Sequence, residues 1–464
     1  MTRRAWLAAA LSIVSAPWLV QAALGPRYGG ELRVGALGSP PSTAPGLAVG
    51  PTARLVLGMV HETLLRAGDE GPRPGLADSW SSSADGREWT LALHPRLQFH
   101  DGAELTAADA ARSIRRFLRS DSPAAAVLAH TLEGGTAFRA GEGDELAAVH
   151  VGHSGELRLR FRAPVAASGL LPLAAPAAAV VSERGAACGP FVPTVSNSDE
   201  LLFVPFGSHV AGRPYLDRVA VRLLPEARRL VAEHRLGRID VAVAGGAGLT
   251  HAPGVLLLVV DPSRAPFQSK ELRLALAAAI DRRAMAGRML RGAEPWHRLL
   301  PDAPTPGRDV PPTLDAGRVP RRWASTVTLA VDRTLPTLAS QRVVAHLVDL
   351  GLTPAVRAVD PADVRRVPAE LRLMLFEPEL GDPVLAVHEA GSLLEPGAVP
   401  PAVFESDPAT RLAMSLDMEE RLRAHATLIP LARLSRSSEA AAHVRDARAD
   451  GYTLRVEDAW TALP

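Results

Sequence analysis

Patterns typical of short strands alternate with patterns typical of helices along the second half of the chain. Apolar stretches at 255–260, 327–331 and 371–375 have the length of strands, whereas 269–290 and 338–350 carry apolar residues at helical spacing. Because this alternation is typical of β-α-β units, it predicts an α/β protein with a largely parallel sheet. At 464 residues the chain is too long for one core, and we expect two or three lobes.

The N-terminal half continues the α/β pattern. A strand pattern at 28–35 is followed by a loop at 37–51 that is rich in Gly, Pro and Ser. Thr106 and Asp109 have the spacing of a capping box, which predicts that a helix begins at residue 107 and runs to 118. Apolar residues at 146–151 and 157–161 flank a Ser-Gly pair and predict a hairpin.

The first 22 residues have the features of an export signal. Arg3 and Arg4 precede a mostly apolar run from Leu7 to Val20, and small residues follow it. A membrane-spanning helix needs about 20 apolar residues, so an uncleaved anchor is the less favoured alternative. The paired arginines also resemble a twin-arginine signal. No cysteine follows the run for lipid attachment, and we therefore expect a periplasmic or secreted protein.

The charge balance and the single cysteine exclude several kinds of function. Lys and Arg number 51 against 50 Asp and Glu, for a net charge of +1, and nucleic-acid binding needs a concentrated basic surface. Cys188 is the only cysteine, so it cannot form a disulfide within the chain, and we expect a small buried apolar residue. The scattered histidines indicate no metal site, and we expect no cofactor.

No catalytic motif occurs in the sequence. It contains no G-x-S-x-G elbow, no H-E-x-x-H helix and no phosphate-binding loop of the P-loop type. His100 and Asp101 are neighbours, but Asp101-Gly102 is typical of a turn and no third group completes an acid–base pair. The sequence therefore predicts a binding protein and not an enzyme. An exported hydrolase is the alternative from another class.

Several segments resemble one known family in the same order along the chain. The most specific is Phe99-His100-Asp101-Gly102 followed by Leu105-Thr106-Ala107-Ala108-Asp109. The others lie at 29–34, 61–65, 74–80, 85–90, 189–191, 237–241, 265–292 and 381–383. Together they resemble the extracytoplasmic solute-binding proteins of family 5, which bind oligopeptides, dipeptides or nickel complexes for ABC importers.

This resemblance implies an architecture. The expected fold is α/β and two-lobed, of the periplasmic-binding-protein type (type II, cluster C), with a hinge and an extra subdomain in the first lobe. After the signal peptide at 1–22, the first lobe would span 23–255, with the subdomain at about 50–185. The second lobe would span 256–437, and 438–464 would return to the first. A monomer would engulf a short peptide or similar solute between its lobes and deliver it to a membrane permease.

The resemblance also implies candidate ligand-binding residues. Glu379 occupies the position of an acid that holds a ligand ammonium, and Arg333 that of an arginine that holds a carboxylate. A buried zwitterion needs such partners, and arginine can grip a carboxylate with two hydrogen bonds. Asp382, in the Gly381-Asp382-Pro383 stretch, and Ser39 and Ser42, in the loop after the first strand, complete the set. The alternative is that Glu379 and Arg333 are surface charges and that the serines belong to a plain loop.

The sequence also departs from the family. Aromatic residues make up only 4% of the chain, with three tyrosines, whereas relatives usually line a large cleft with aromatics. This departure predicts a cleft that is smaller, differently selective or partly lost. A degenerate or sensor protein without transport and a carrier of nickel or haem complexes remain as alternatives.

Overall fold

The computed structural model describes residues 25–462, except for 39, 47–49, 69–70, 244–248, 251–252, 291–292, 302–322, 324, 395–398, 435–436 and 451–452. The predicted signal peptide therefore lies outside the described residues. Within them, no helix combines the length and the apolar character that a membrane crossing requires.

The first part of the chain contains twelve named strands and five helices among its described residues. The strands are β1 (Glu31–Leu37), β2 (Leu65–Gly68), β3 (Gly71–Pro74), β4 (Ala77–Ser82), β5 (Glu88–Leu93), β6 (Val149–Val151), β7 (Leu157–Arg160), β8 (Phe191–Ser196), β9 (Glu200–Pro205), β10 (Arg218–Leu224), β11 (Val241–Val243) and β12 (Leu249–Thr250). The helices are α1 (Pro51–Val60), α2 (Ala107–Leu118), α3 (Pro123–Thr131), α4 (Gly135–Ala140) and α5 (Ala227–Arg235), with 3₁₀ turns at Ala167–Ala174 and Pro176–Ala178.

The second part begins with a fully buried strand. Its strands are β13 (Gly254–Val260), β14 (Ala293–Pro295), β15 (Thr326–Asp332), β16 (Thr353–Val359), β17 (Leu371–Phe376), β18 (Leu428–Leu434), β19 (Ser437–Ala440), β20 (Val444–Arg445), β21 (Arg448–Asp450), β22 (Thr453–Arg455) and β23 (Trp460–Thr461). Its helices are α6 (Lys270–Ala279), α7 (Arg282–Ala284), α8 (Thr337–Asp349), α9 (Pro361–Val364), α10 (Pro383–Ser392) and α11 (Pro408–Ala424), with a π turn at Met285–Met289 and a 3₁₀ turn at Pro401–Phe404.

Two large sheets organise these elements into two lobes. A seven-stranded sheet has the order β12-β19-β11-β1-β10-β9-β8, and a four-stranded sheet, β4-β5-β7-β6, belongs to the subdomain of the same lobe. A six-stranded sheet with the order β14-β18-β13-β17-β15-β16 forms the second lobe. The division into lobes at the boundaries predicted from the sequence stays a prediction.

The expectation of a largely parallel sheet is wrong, because both large sheets are mixed. In the first lobe β1 runs parallel to β10 and β11, but β9 and β19 pair antiparallel with their neighbours. In the second lobe β15 is parallel to β16 and β17, while β13 runs antiparallel to β17 and β18. In the first lobe β9 joins β8 and β10 without a helix between them, and such antiparallel neighbours are not revealed by helix–strand alternation.

The capping-box helix is confirmed, whereas the long helix predicted at 269–290 is broken. Asp109 accepts a hydrogen bond from the Thr106 backbone N–H at 2.9 Å, and α2 spans Ala107–Leu118 as predicted. By contrast α6 ends at Ala279, and the Asp281 carboxylate then accepts from the Ala284 N–H at 3.0 Å. Aspartate competes with the helical backbone for hydrogen bonds and favours a new N-terminus.

The motif Phe99–Asp109 has the structural role expected of it. His100 Nε2 lies 2.9 Å from the Gly189 carbonyl, and Asp101 accepts from the Ala103 N–H at 3.1 Å, as a turn requires. Cys188 is buried, and its burial raises the pKa of the thiol. These residues hold the subdomain to the first lobe and leave the cleft to other segments.

Candidate functional site at the cleft between the lobes

Three charged residues lie where the parallel strands of the second lobe end. Arg333 follows β15, Asp360 follows β16 and Glu377 follows β17. Because these strands are parallel, their carboxyl ends share one edge of the sheet. Ligands of open α/β sheets bind at this edge. The edge of the second lobe therefore presents charged groups towards the cleft.

The corresponding edge of the first lobe carries the loop that follows β1. The Gly38 N–H donates to the Leu224 carbonyl at 3.1 Å, and Thr52 Oγ1 donates to the Leu37 carbonyl at 2.8 Å. Further along, His61 Nε2 lies 2.6 Å from the Thr43 carbonyl. These hydrogen bonds fix the start of α1 at the carboxyl ends of β1 and β10, facing the cleft.

The two lobes touch directly along this cleft. From α1, Arg54 Nη2 donates to the carbonyls of Glu377 and Pro378 at 2.9 and 3.2 Å. From the subdomain, Asp121 pairs with Arg366 at 3.0 Å, although both of these side chains are exposed. Two different segments of the first lobe thus hold the loop after β17 and the segment after α9.

Glu379 is the centre of the contact between the lobes. Its side chain is 6% exposed, and its Oε2 accepts a hydrogen bond from Ser122 Oγ of the subdomain at 2.7 Å. Its backbone N–H donates to Glu389 Oε2 at 2.5 Å, and Glu389 is paired with Arg365 at 2.7 Å. Within the described part of the chain, Glu379 Oε1 is enclosed and has no hydrogen-bond partner.

The surroundings of Glu379 disfavour its charge. Burial raises the pKa of Glu379 to about 7, and the neighbouring Glu389 carboxylate adds to the effect. The Ser122 hydrogen bond and the positive charges of Arg54 and Arg365 oppose the shift without cancelling it. Desolvation is the dominant cause, since a carboxylate removed from water loses its hydration. Glu379 therefore changes its charge near neutral pH.

The desolvation comes from an apolar core that crosses the cleft. Buried apolar side chains of the second lobe and of the subdomain belong to one hydrophobic cluster. The second lobe contributes Leu380, Val384, Leu385, Ala402 and Val403, and the subdomain contributes residues such as Leu128, Leu132 and Leu170. Water is therefore excluded on the side of Glu379 that faces α3 and α10.

Asp382 is engaged by the protein itself. Its Oδ1 accepts from the Val384 and Leu385 N–H groups at 3.0 Å and thereby caps α10. Both carboxylate oxygens also accept from Arg411 Nη2, at 2.9 and 3.0 Å, in a buried pair. These contacts stabilise the helix that carries Glu389, so Asp382 acts on the cleft by positioning α10.

Arg333 follows β15, the strand next to β17 on the same sheet edge, and is accessible. Its side chain is 50% exposed, and its Nε pairs with Asp360 Oδ1 at 3.0 Å. Ser42 is also exposed, and its Oγ accepts from the Ala44 N–H at 3.1 Å. Ser39 lies outside the described residues. Of the five predicted ligand-binding residues, Glu379 lies in a buried cluster with Ser122 and Glu389, Asp382 pairs with Arg411 at the start of α10, and Arg333 is in a solvated position.

The sequence analysis missed four residues that build this cluster. They are Arg54, Ser122, Arg365 and Glu389. Arg54 and Glu389 each interrupt an apolar helix pattern, and a charge in such a pattern is a usable signal, because buried charges need partners. Ser122 and Arg365 carry no comparable signal. Among the described residues no group of three or more His, Cys, Asp or Glu side chains has the geometry to hold a metal ion.

Comparison with solved structures shows which class of protein has this fold. The murein tripeptide binding protein MppA of Escherichia coli superposes with a TM-score of 0.80 at 18% identity, over 93% of this chain and 98% of that one. A periplasmic binding protein, DppA of Helicobacter pylori, in complex with the peptide STSA, gives 0.77 at 17% identity, over 94% and 98%. The fold is that of a two-lobed periplasmic binding protein.

The family follows from the sequence. The family described as "Bacterial extracellular solute-binding proteins, family 5 Middle" matches residues 71–318, more than half of the chain. The chain belongs to this family, as the motif at 99–109 and its companions predicted. Heme-binding protein A of Haemophilus influenzae is 26% identical over 270 residues, which is 49% of this chain and 48% of that protein. The match thus spans about half the length of that relative.

The unliganded open form of MppA superposes with a lower TM-score of 0.61, at 18% identity, over 94% of this chain and 98% of that one.

Proposed function

We propose that this protein is the solute-binding component of an ABC importer and that it binds short peptides or similar small zwitterions between its lobes without chemically changing them. The observation that carries the proposal is Glu379, a buried carboxyl group at the meeting point of the lobes with one oxygen, Oε1, that no described group satisfies. A buried acceptor without a partner is costly. A ligand ammonium group is a suitable donor for it.

The proposed ammonium site works by exchange of partners. When the lobes separate, Glu379 leaves the Ser122 hydroxyl and meets water, and an ammonium group can then bind the carboxylate at Oε1 as well as take the place of that hydroxyl at Oε2. A charge-assisted hydrogen bond to a carboxylate is roughly twice as strong as a neutral one. Glu379 must be ionised for this contact, so its proton has to leave before or during ligand binding.

The proposed carboxylate site is Arg333. It lies on the same sheet edge and stays half exposed, and its partner Asp360 is also partly exposed. An exposed pair of this kind contributes little to stability, so a ligand carboxylate can replace Asp360 at low cost. The few aromatic residues indicate that such polar anchors, more than stacking on side chains, would determine the specificity.

Thermal unfolding against a library of di- to pentapeptides, free amino acids and nickel complexes tests the proposal. A solute at about 100 times its Kd stabilises the native state by roughly 2.7 kcal/mol. We expect a rise in Tm with short peptides that blocking their N-terminal amine abolishes. A rise that persists with N-acetylated peptides would exclude Glu379 as the ammonium site, and no rise with any member would favour a degenerate or sensor protein.

A haem carrier is a second candidate, because the chain is similar over half its length to a protein named for haem binding. Addition of haem to the purified protein distinguishes the two. A saturable shift of the haem Soret band together with a rise in Tm would support the carrier, whereas an unchanged spectrum would leave the peptide proposal.

The proposed partner is a membrane permease that accepts the ligand-loaded protein. We further propose that the chain acts as a monomer and that residues 1–22 direct its export to the periplasm, by the general or the twin-arginine route. Sedimentation of the purified protein and localisation of an Arg3→Lys, Arg4→Lys variant test these two points.

A further inference from the structure

The contacts across the cleft include one that can be switched by a proton. Ser122 belongs to the first lobe and Glu379 to the second, and their hydrogen bond lies inside the apolar core that both lobes share. We propose that Glu379 is a latch between the lobes: its enclosure against the first lobe is stable while it carries a proton and becomes unfavourable when the proton is lost, because the charge is then buried without solvation, although the Ser122 hydrogen bond opposes this effect. The latch is a property of the protein alone and does not depend on the identity of the solute.

The geometry supports a protonated carboxyl group at this position. Glu379 Oε1 is enclosed without a hydrogen-bond partner among the described residues, and a full negative charge there would lack solvation. The Glu389 carboxylate is held against the backbone of Glu379 by its own hydrogen bond. Two adjacent buried carboxyl groups do not ionise together easily, and one of them retains its proton. Glu389 has Arg365 as its ion-pair partner, so the proton belongs on Glu379.

The charged and titratable groups around Glu379 come from each element packed against it. Arg54 faces it from α1, Arg365 from the segment after α9, and Glu389 from α10, which also carries His388. Glu377 lies two residues before it in the same loop. The latch therefore responds to the sum of these charges, and a variant of Glu379 alone is needed to isolate its contribution.

The direction of the pH effect follows from the two environments of the carboxyl group. With the lobes in contact the pKa of Glu379 is about 7, against an ordinary value of 4.5. Separation of the lobes returns it to water and to the ordinary value. The contacting arrangement therefore binds more protons between these limits, and its population falls as the pH rises from about 4.5 to 7. The ratio of contacting to separated molecules can fall by up to about 300-fold over this range.

This switch would couple the latch to the proposed ligand site. The ionised carboxylate that weakens the latch is the form that an ammonium group binds. Lower pH would then favour an empty protein with its lobes in contact, and higher pH would favour lobes that separate and accept a ligand. This consequence rests on the proposed function, whereas the latch itself does not.

Electron–electron distance measurements between two spin labels test the latch in the absence of any solute. Glu145 in the subdomain and Arg357 in the second lobe are exposed, so Glu145→Cys and Arg357→Cys can carry the labels, while the native Cys188 is buried and unreactive. We expect a short distance to dominate at pH 5 and a longer one to gain population by pH 8.

Three variants give the measurement its controls. Glu379→Gln keeps the shape of the side chain but cannot ionise, so we expect the short distance at both pH values. Ser122→Ala removes the hydrogen bond and should lower the contacting population about tenfold, more at pH 8 than at pH 5 because a hydrogen bond to an ionised carboxylate is the stronger one, so the pH dependence remains. Asp121→Asn disrupts the exposed pair with Arg366 and should leave the pH dependence unchanged.

Two outcomes would contradict the proposal of a latch at Glu379. One is a wild-type distance distribution that does not change between pH 5 and 8. The other is a Glu379→Gln variant that keeps the wild-type pH dependence, which would assign the effect to another group. A latch that behaves as expected in a protein that binds no peptide would refute the proposed function and leave this inference intact.

Discussion

Two neighbouring regions of the second lobe's cleft edge, the buried end after β17 and the exposed end after β15 and β16, are built in opposite ways. At the buried end Glu379 and Glu389 are buried, Asp382 is half-buried, and each carboxylate accepts hydrogen bonds from the protein. At the other end Arg333 and Asp360 form a half-exposed pair. One edge of the sheet can therefore serve two purposes. The buried end determines whether the lobes meet, and the exposed end is free to exchange its partner for a ligand.

The largest effect should follow from breaking the buried end at Asp382. Asp382→Ala leaves Arg411 as an unpaired buried charge and removes the cap of α10. We expect it to lower the free energy of unfolding by about 3–5 kcal/mol, as other broken buried ion pairs do, measured by urea denaturation. Asp407, which caps α11 at the exposed surface, is the matched control, and Asp407→Ala should cost much less. Equal losses in the two variants would contradict the comparison.

The next effect concerns the charge at Glu379. Its pKa is about 7 in the folded protein, above its ordinary value, so the folded state binds more protons than the unfolded state, and stability should fall as the pH rises from about 4.5 to 7. Glu379→Gln should remove up to about 3 kcal/mol of this pH dependence. Urea denaturation at pH 4.5, 6 and 8 measures it, with the exposed Glu145→Gln as control. If the free energy of unfolding of Glu379→Gln changed with pH as it does in the wild type, Glu379 would not be the group that titrates between pH 4.5 and 8.

A smaller effect on stability, but a clear one on binding, is expected at the exposed end. Arg333→Ala should change the free energy of unfolding by less than about 1 kcal/mol, because exposed pairs contribute little. It should weaken the binding of a peptide carboxylate by about 10- to 100-fold, since a hydrogen bond to a charged group is lost. Calorimetry with a peptide found in the thermal screen measures both the variant and its control, Asp360→Asn, which should bind more tightly. Unchanged affinity in Arg333→Ala would remove this residue from the site.

The smallest effect should come from Ser42. Its hydroxyl is exposed and bonds only locally, to the Ala44 N–H, so Ser42→Ala should change stability by no more than about 0.5 kcal/mol. Peptide affinity should change less than it does in Arg333→Ala. A loss of binding as large as that of Arg333→Ala would show that the loop after β1 contributes an anchor. Both lobes would then bind the ligand.

Local patterns predicted much of the fold and only part of the site. The strands at 255–260, 327–331 and 371–375 and the helix at 107–118 follow from apolar periodicity and capping, which are properties of neighbouring residues. The broken helix at Asp281 shows the limit, because periodicity across 269–290 hid a cap that competes with the helix. Glu379 was named from resemblance, but its burial and its contact with Ser122 join residues 257 positions apart, and no local pattern reports such a contact.

Most of the elements and the family follow from residue types at short spacings along the chain, and so does the lack of catalytic motifs. Which charges are buried and which stay in water depends on contacts between distant segments. Arg333 and Glu379 are both charged residues that follow strands, and the sequence treats them alike. The apolar core shared by α3 and α10 encloses one and leaves the other exposed. The pKa of a carboxyl group depends on what surrounds it in space, so the switch at Glu379 exists only in the folded molecule.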